Sequence, residues 1–184
     1  ILNLLVYVNA IVGLSCKFHR TNPFLKLAPI KMEQLYNEPE ILLFYEVLND
    51  REIEWYKTQP VSGLDNVRCS QGYFLDNKAN ATASTTAILR RFSDMTGLNM
   101  AKAEQQVINY GIGGYYDTHV DAFELSDVKQ GGATVFPSVD LTVFPMKGAA
   151  LFWYNLDHKG EVSDVSEHTA CPVLAGEKWC KYCL

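Results

Sequence analysis

Two textures meet at Gly97, and that junction limits the possible folds more than anything else in the sequence. Upstream, Ala83, Ala87, Ile88 and Phe92 fall near helical spacing over Thr82 to Thr96, Arg90 and Arg91 sit in the later part, and Gly97 is placed to stop the helix. Downstream, the chain breaks into short apolar runs punctuated by glycine. Gln106 to Tyr110 holds the strand formers Val107, Ile108 and Tyr110, and Gly111, Gly113 and Gly114 interrupt it. Gly131-Gly132 predicts a tight turn ahead of Ala133 to Phe136. Ala149 to Tyr154 reads as a buried strand, and Cys171 to Gly176 as a strand entering a turn. Helices first and many short strands after them predict an α+β domain: a β-sandwich or barrel with helices packed outside.

The remaining stretches are less regular. Residues 16 to 36 contain Pro23 and Pro29 and read as an irregular lead-in. Ile41 to Phe44 predicts a strand, and Asn49-Asp50 can cap a helix from about Arg51 to Thr58. Gln59 to Lys78 reads as loop with short strands. The 184 residues suffice for one domain with a sizeable core, assigned to 16–184. The formal net charge of -5 argues against a nucleic-acid partner.

Ile1 to Ser15 is apolar and uncharged and too short for a membrane span. It reads either as the core of a signal-like segment or as a buried helix. The sequon Asn80-Ala81-Thr82, together with that segment, tilts the reading toward the secretory pathway. The cysteines Cys16, Cys69, Cys171, Cys180 and Cys183 leave at least one unpaired if the others bridge, and their spacings match no paired zinc pattern. Cys180 and Cys183 form a C-x-x-C without the βαβ setting that a redox motif needs.

The chemistry centres on His119-Val120-Asp121. In a strand, residues i and i+2 point to the same face, so the imidazole and the carboxylate can reach one metal from one strand. His168, just before an apolar strand start, is the candidate third ligand. Two histidines and one carboxylate on one face of an octahedron leave positions open for a chelating co-substrate and O2, which suits non-haem Fe(II). A lone H-x-D also occurs by chance, and a strand histidine is commonly structural, so the triplet alone leaves both readings open. His19 and His158 lack such a context and read as surface residues. Lys178 lies ten residues after His168, and Pro172 and Gly176 suggest a turn that returns the chain beside the metal. Its ammonium offers a point charge for a carboxylate, and the Tyr110 hydroxyl can donate to the same group. The plain alternative for Lys178 is a solvated surface charge.

Read together, these motifs resemble the collagen-type prolyl 4-hydroxylase family of Fe(II)- and 2-oxoglutarate-dependent dioxygenases. Tyr110-Gly111-Ile112-Gly113-Gly114 with Tyr116 and His119-x-Asp121 is similar to the family's iron-binding segment. Ser126-Asp127-Val128 with Gly131 to Pro137, Lys147 to Leu156, and His168 to Trp179 are similar to three further blocks in the same order. Leu27 to Lys31, Asn49 to Glu54 and Thr96 to Leu98 fit the same family, so the resemblance covers roughly residues 16 to 181.

The resemblance implies a double-stranded β-helix (jelly-roll) core with flanking helices. It implies Fe(II) on His119, Asp121 and His168, 2-oxoglutarate on Tyr110 and Lys178, and contact between Tyr116 and the peptide substrate. It further implies hydroxylation of peptidyl proline in procollagen-like chains, with L-ascorbate restoring oxidised iron. Protein disulfide isomerase is an implied partner and the endoplasmic reticulum lumen the implied location. A proline-rich substrate in polyproline II form suits a groove with aromatic walls, for which Tyr73, Phe74, Tyr115 and Tyr116 are candidates.

The chain departs from the family in two places. Only Ala122, Phe123 and Glu124 separate Asp121 from Leu125, where family members carry a loop and a core strand that contributes a threonine, so one core strand is expected to be missing. The family's last core strand, with its basic residues, is expected to have no counterpart after Lys178-Trp179. These departures keep an alternative in view: a non-catalytic paralogue acting as a binding or structural subunit.

Overall fold

A computed structural model of the chain describes residues 15–59, 70–75, 82–103, 105–119 and 124–183. In chain order the elements are β1 (Cys16–His19), α1 (Pro23–Leu27), β2 (Ile30–Tyr36), β3 (Ile41–Tyr45), α2 (Asp50–Lys57), β4 (Gln71–Leu75) and α3 (Ala83–Thr96). They continue with β5 (Gln105–Tyr110), β6 (Tyr116–His119), β7 (Glu124–Gly131), β8 (Thr134–Phe136), β9 (Leu141–Val143), β10 (Ala150–Trp153), β11 (His168–Ala170) and β12 (Val173–Cys183).

The helices begin where the side chains can satisfy their first amides. Asn49 and Glu52 form a capping box at α2, and Thr82 and Thr85 form one at α3. Gly97, at φ 76°, ends α3 in the left-handed conformation that glycine adopts without penalty. The lead-in predicted to be irregular over 16–36 is in fact regular. Asn22 caps α1, Pro23 opens it at a position where a missing N–H costs nothing, and β1 and β2 pair on either side of it. The prolines there mark element boundaries rather than disorder.

The strands form three four-stranded antiparallel sheets, ordered β1-β2-β3-β10, β4-β5-β12-β7 and β6-β11-β8-β9. The first two share one outer face. Leu42, Phe44, Ala150 and Phe152 from one sheet, and Tyr73, Leu75, Val107 and Trp179 from the other, pack in a single cluster with Ile53 and Tyr56 of α2 and Ile88, Phe92 and Met95 of α3. Residues of opposite parity face inward. Ile41, Leu43, Leu151 and Trp153 meet Phe136 and Val143 of the third sheet. A helix-covered major layer thus stands over a smaller sheet, the layering expected of a jelly roll. No helix among the described residues is long and apolar enough to cross a membrane.

One expectation needs adjusting. The turn assigned to Gly176 is absent: β12 runs without a break from Val173 to Cys183, and Gly176, at φ 88°, sits at a bulge where the register with β7 shifts. The chain turns earlier, at Cys171-Pro172, where it leaves the small sheet for the major layer. The stretch from Asp121 to Phe123, where a core strand is expected to be missing, lies outside the described residues; Leu125 to Val128 belong to β7, which pairs with β12 opposite β5. The interior of β12 is therefore hydrogen-bonded on both sides.

Candidate metal and co-substrate site

Two crossings between the layers frame the site. β7 passes to β8 at Gly131-Gly132, and β11 passes to β12 at Cys171-Pro172. They are tied to each other: the Gly132 N–H donates to the Pro172 carbonyl at 2.9 Å, and the Cys171 N–H donates to the Ala133 carbonyl at 2.8 Å. A Cβ on Gly131 would lie 2.4 Å from the Pro172 oxygen, so the close approach requires glycine there.

On the small sheet, His168 of β11 is the register partner of His119 of β6. Directly opposed residues of an antiparallel pair stand on the same face, about 5 Å apart at Cβ. The spacing of nearly fifty residues in sequence is thereby reduced to neighbouring strands. His168 is buried, and its Nδ1 lies 3.0 Å from the Ser166 carbonyl. A carbonyl only accepts, so Nδ1 carries the hydrogen and the lone pair of the neutral ring sits on Nε2, the tautomer a metal-binding imidazole needs. The Trp153 ring meets the imidazole edge-on at 4.6 Å and Phe136 lies at 5.4 Å, which fixes the ring plane. Asp121 lies outside the described residues. Among the described residues no three His, Cys, Asp or Glu side chains form a metal cluster.

On the major layer, Lys178 of β12 is the register partner of Tyr110 of β5. Both are buried, so the solvated-charge reading of Lys178 does not hold. Its Nζ crosses to the small sheet, donating to the Gly132 carbonyl at 2.8 Å and to Thr134 Oγ1 at 3.3 Å. A buried ammonium and a hydroxyl thus meet between the layers, with the buried Tyr110 as the strand-register partner of the lysine. Thr134 escaped the sequence reading, which sought a threonine on the missing strand. Its signal was the position just past Gly131-Gly132, where the chain enters β8.

Other candidates scatter. Tyr116 is the register partner of Ala170, two residues from His168 on β11. Tyr73 is buried in the outer cluster and its hydroxyl donates to the Tyr56 carbonyl, whereas Phe74 and Tyr115 are exposed. His158 is exposed and His19 half-buried. Lys181, also missed, is fully buried with its ammonium 4.4 Å from the centre of the Phe92 ring.

The residues present fit ferrous iron and a dicarboxylate: an oriented imidazole whose strand-register partner is a second histidine, and a buried cation on the facing layer. Solved structures agree on the fold. The viral collagen prolyl hydroxylase of Paramecium bursaria Chlorella virus-1, in its 2OG complex, superposes with a TM-score of 0.57 at 20% identity, over 78% of this chain and 93% of that one. A Pseudomonas putida prolyl-4-hydroxylase gives 0.51 at 14% identity, over 78% and 91%. The fold is that of the 2OG-Fe(II) oxygenases, a jelly roll with flanking helices.

No family model matches the chain. Human prolyl 4-hydroxylase subunit alpha-1 is 38% identical over 206 residues, taking in 90% of this chain and 38% of that protein. Subunit alpha-2 of Caenorhabditis elegans is 38% identical over 202 residues, with the same coverage. The chain belongs to the prolyl 4-hydroxylase alpha-subunit family, and it spans 38% of the length of these curated relatives. The human alignment of 206 positions takes in only about 166 residues here, 90% of 184, so about 40 positions of the relative face no residue of this chain.

Proposed function

We propose that this chain hydroxylates peptidyl proline to 4-hydroxyproline in procollagen-like chains, coupled to oxidative decarboxylation of 2-oxoglutarate. The substrate pair and O2 become hydroxyproline, succinate and CO2. Fe(II) with its co-substrate supplies the oxidising power for a C–H bond that no protein side chain can attack. His119, Asp121 and His168 hold the metal. Lys178, Tyr110 and Thr134 bind the far carboxylate of 2-oxoglutarate, and Tyr116 meets the peptide. Trp153 and Phe136 hold the His168 ring in place and keep water from its buried side.

The observation that carries this reading is the pair of opposed partners, His168 with His119 on one layer and Lys178 with Tyr110 on the other, joined by the Lys178 contact to Thr134. The names of the relatives support the peptide substrate. Ascorbate as the reductant of stray ferric iron, protein disulfide isomerase as partner, and the endoplasmic reticulum lumen as location are parts of the same proposal.

The test is succinate release with Fe(II), 2-oxoglutarate and a Pro-Pro-Gly repeat, comparing the wild-type chain with His119→Ala and His168→Ala. Peptide-dependent succinate from the wild type alone supports the enzyme. Background from all three, with peptide binding retained, would make the chain a binding subunit.

A further inference from the structure

Among the described residues, the buried side-chain polar atoms without a hydrogen-bond partner are Asn109 Oδ1, Asn155 Oδ1 and Trp153 Nε1. Trp153 differs from the other two in placement. It is 7% exposed, its ring touches His168, and it lies in the inward-facing cluster with Phe136. An indole N–H can only donate, and a buried donor left unmet is costly enough that native structures rarely keep one. The aromatic contacts alone would be served as well by phenylalanine. A tryptophan at this position therefore presents a hydrogen without an acceptor beside the candidate metal ligand.

The position along the sheet says which part of a ligand it would meet. On β11, Ala170 pairs with Thr134, the hydroxyl that Lys178 reaches, while His168 pairs with His119. Those two levels are two residues apart, about 7 Å at the rise of a strand. Trp153 packs at the His168 level. Resting on the function proposed above, we propose that Trp153 is a co-substrate-binding residue: its Nε1–H donates to an oxygen of the keto-acid end of 2-oxoglutarate, while Lys178 serves the far carboxylate.

The two ends can be probed separately. N-Oxalylglycine carries both, and oxalate carries only the keto-acid-like end. Calorimetry on the Mn(II)-loaded chain should show Trp153→Phe weakening both ligands about tenfold or more, as for a lost hydrogen bond to a charged acceptor. Mn(II) affinity should stay within twofold. Lys178→Met should weaken N-oxalylglycine and leave oxalate unchanged. Unaltered N-oxalylglycine affinity in Trp153→Phe would mean that the N–H meets water, and would overturn the inference alone. Equal losses of Mn(II) and ligand affinity would make Trp153 structural and overturn it too. A wild-type chain that binds neither ligand would overturn the inference together with the proposed function. A measurement on the wild type guards against a variant that fails to fold. The chain has three tryptophans, so indole-15N labelling with Zn(II) gives three N–H signals, and the Trp153 signal should move downfield on adding N-oxalylglycine. A stationary signal would count against the hydrogen bond.

Discussion

Replacing Lys178 by methionine separates what this buried cation does for folding from what it does for binding. Methionine keeps an unbranched stem of similar length and removes the charge. In folding, two effects oppose each other. The variant loses the bonds at 2.8 Å to the Gly132 carbonyl and 3.3 Å to Thr134 Oγ1, and leaving such groups unmet costs about 1–3 kcal/mol. It also removes an ammonium that is 2% exposed, whose desolvation costs several kcal/mol. The two nearly cancel, so stability should change by less than about 2 kcal/mol, or under about 8 °C in melting temperature at about 2–4 °C per kcal/mol. In binding, nothing offsets the loss. Removing one member of a buried, hydrogen-bonded charge pair costs about 2–5 kcal/mol. That is a fall in N-oxalylglycine affinity of about 30-fold to several thousand-fold. Calorimetry of ligand binding and scanning calorimetry of unfolding read the two quantities independently. A folded variant that binds N-oxalylglycine within threefold of wild type would refute the assignment of Lys178 to the co-substrate.

Three other perturbations test the frame around the site. Gly131→Ala should lower stability by about 2–5 kcal/mol, because the residue sits at φ 80° and its new Cβ would be 2.4 Å from the Pro172 oxygen and 2.9 Å from the Leu174 nitrogen; a urea midpoint equal to wild type would contradict this. Arg91 bonds Glu52 at 2.9 Å through each terminal nitrogen and the Val47 carbonyl at 2.6 Å, tying α3 to α2. Arg91→Met should cost about 1–3 kcal/mol, less than a fully buried pair because the arginine side chain is 31% exposed, and salt should reduce the loss. Burial depresses the His19 pKa from its ordinary 6.5, and the nearby Lys17 charge lowers it further against the upward pull of a Met95 backbone contact and Glu40. The unfolded chain therefore binds the proton more tightly, so this contribution to stability is complete above about pH 6.5 and is lost as pH falls from there through the folded value. His19→Phe should flatten that part of the denaturation profile, and an unchanged slope between pH 5 and 7 would refute it.

What could be read from sequence followed from how local each signal was. The cap at Asn49 and the glycine stop at Gly97 act within four residues, and both helices lie within a residue or two of their expected bounds. The lead-in over 16–36 misled because Pro23 and Pro29 lie at element edges, where proline is tolerated, and only the pairing of β1 with β2 reveals the strands. The ten-residue interval from His168 to Lys178 suggested a return of the chain, and that geometry was wrong. The lysine arrives because β11 and β12 belong to different layers, a fact of sheet assignment that no spacing records. Thr134, Lys181 and Ser166 share this cause: each matters through a neighbour distant in sequence, or through burial that their polar side chains do not announce.

The same distinction bears on the shortened stretch after Asp121. About 40 positions of the human subunit face no residue of this chain, and a shortening would be fatal if it removed a partner of β12, whose ladder with β5 holds Lys178 against Tyr110. It does not: Glu124 to Gly131 occupies that place, with Ser126 opposite Lys178 and Leu125 opposite Trp179. The side of β12 that carries the candidate co-substrate residues is set by β5, which lies wholly outside the shortened stretch. The two crossings at Gly131-Gly132 and Cys171-Pro172, which bring Lys178 to Thr134, are likewise intact. On the function proposed above, the site residue next to the shortening expected between Asp121 and Leu125 is the metal ligand Asp121. The far-carboxylate end of the site should tolerate the shortening, and any weakness in this chain should appear first as loosened metal rather than as a lost grip on the dicarboxylate.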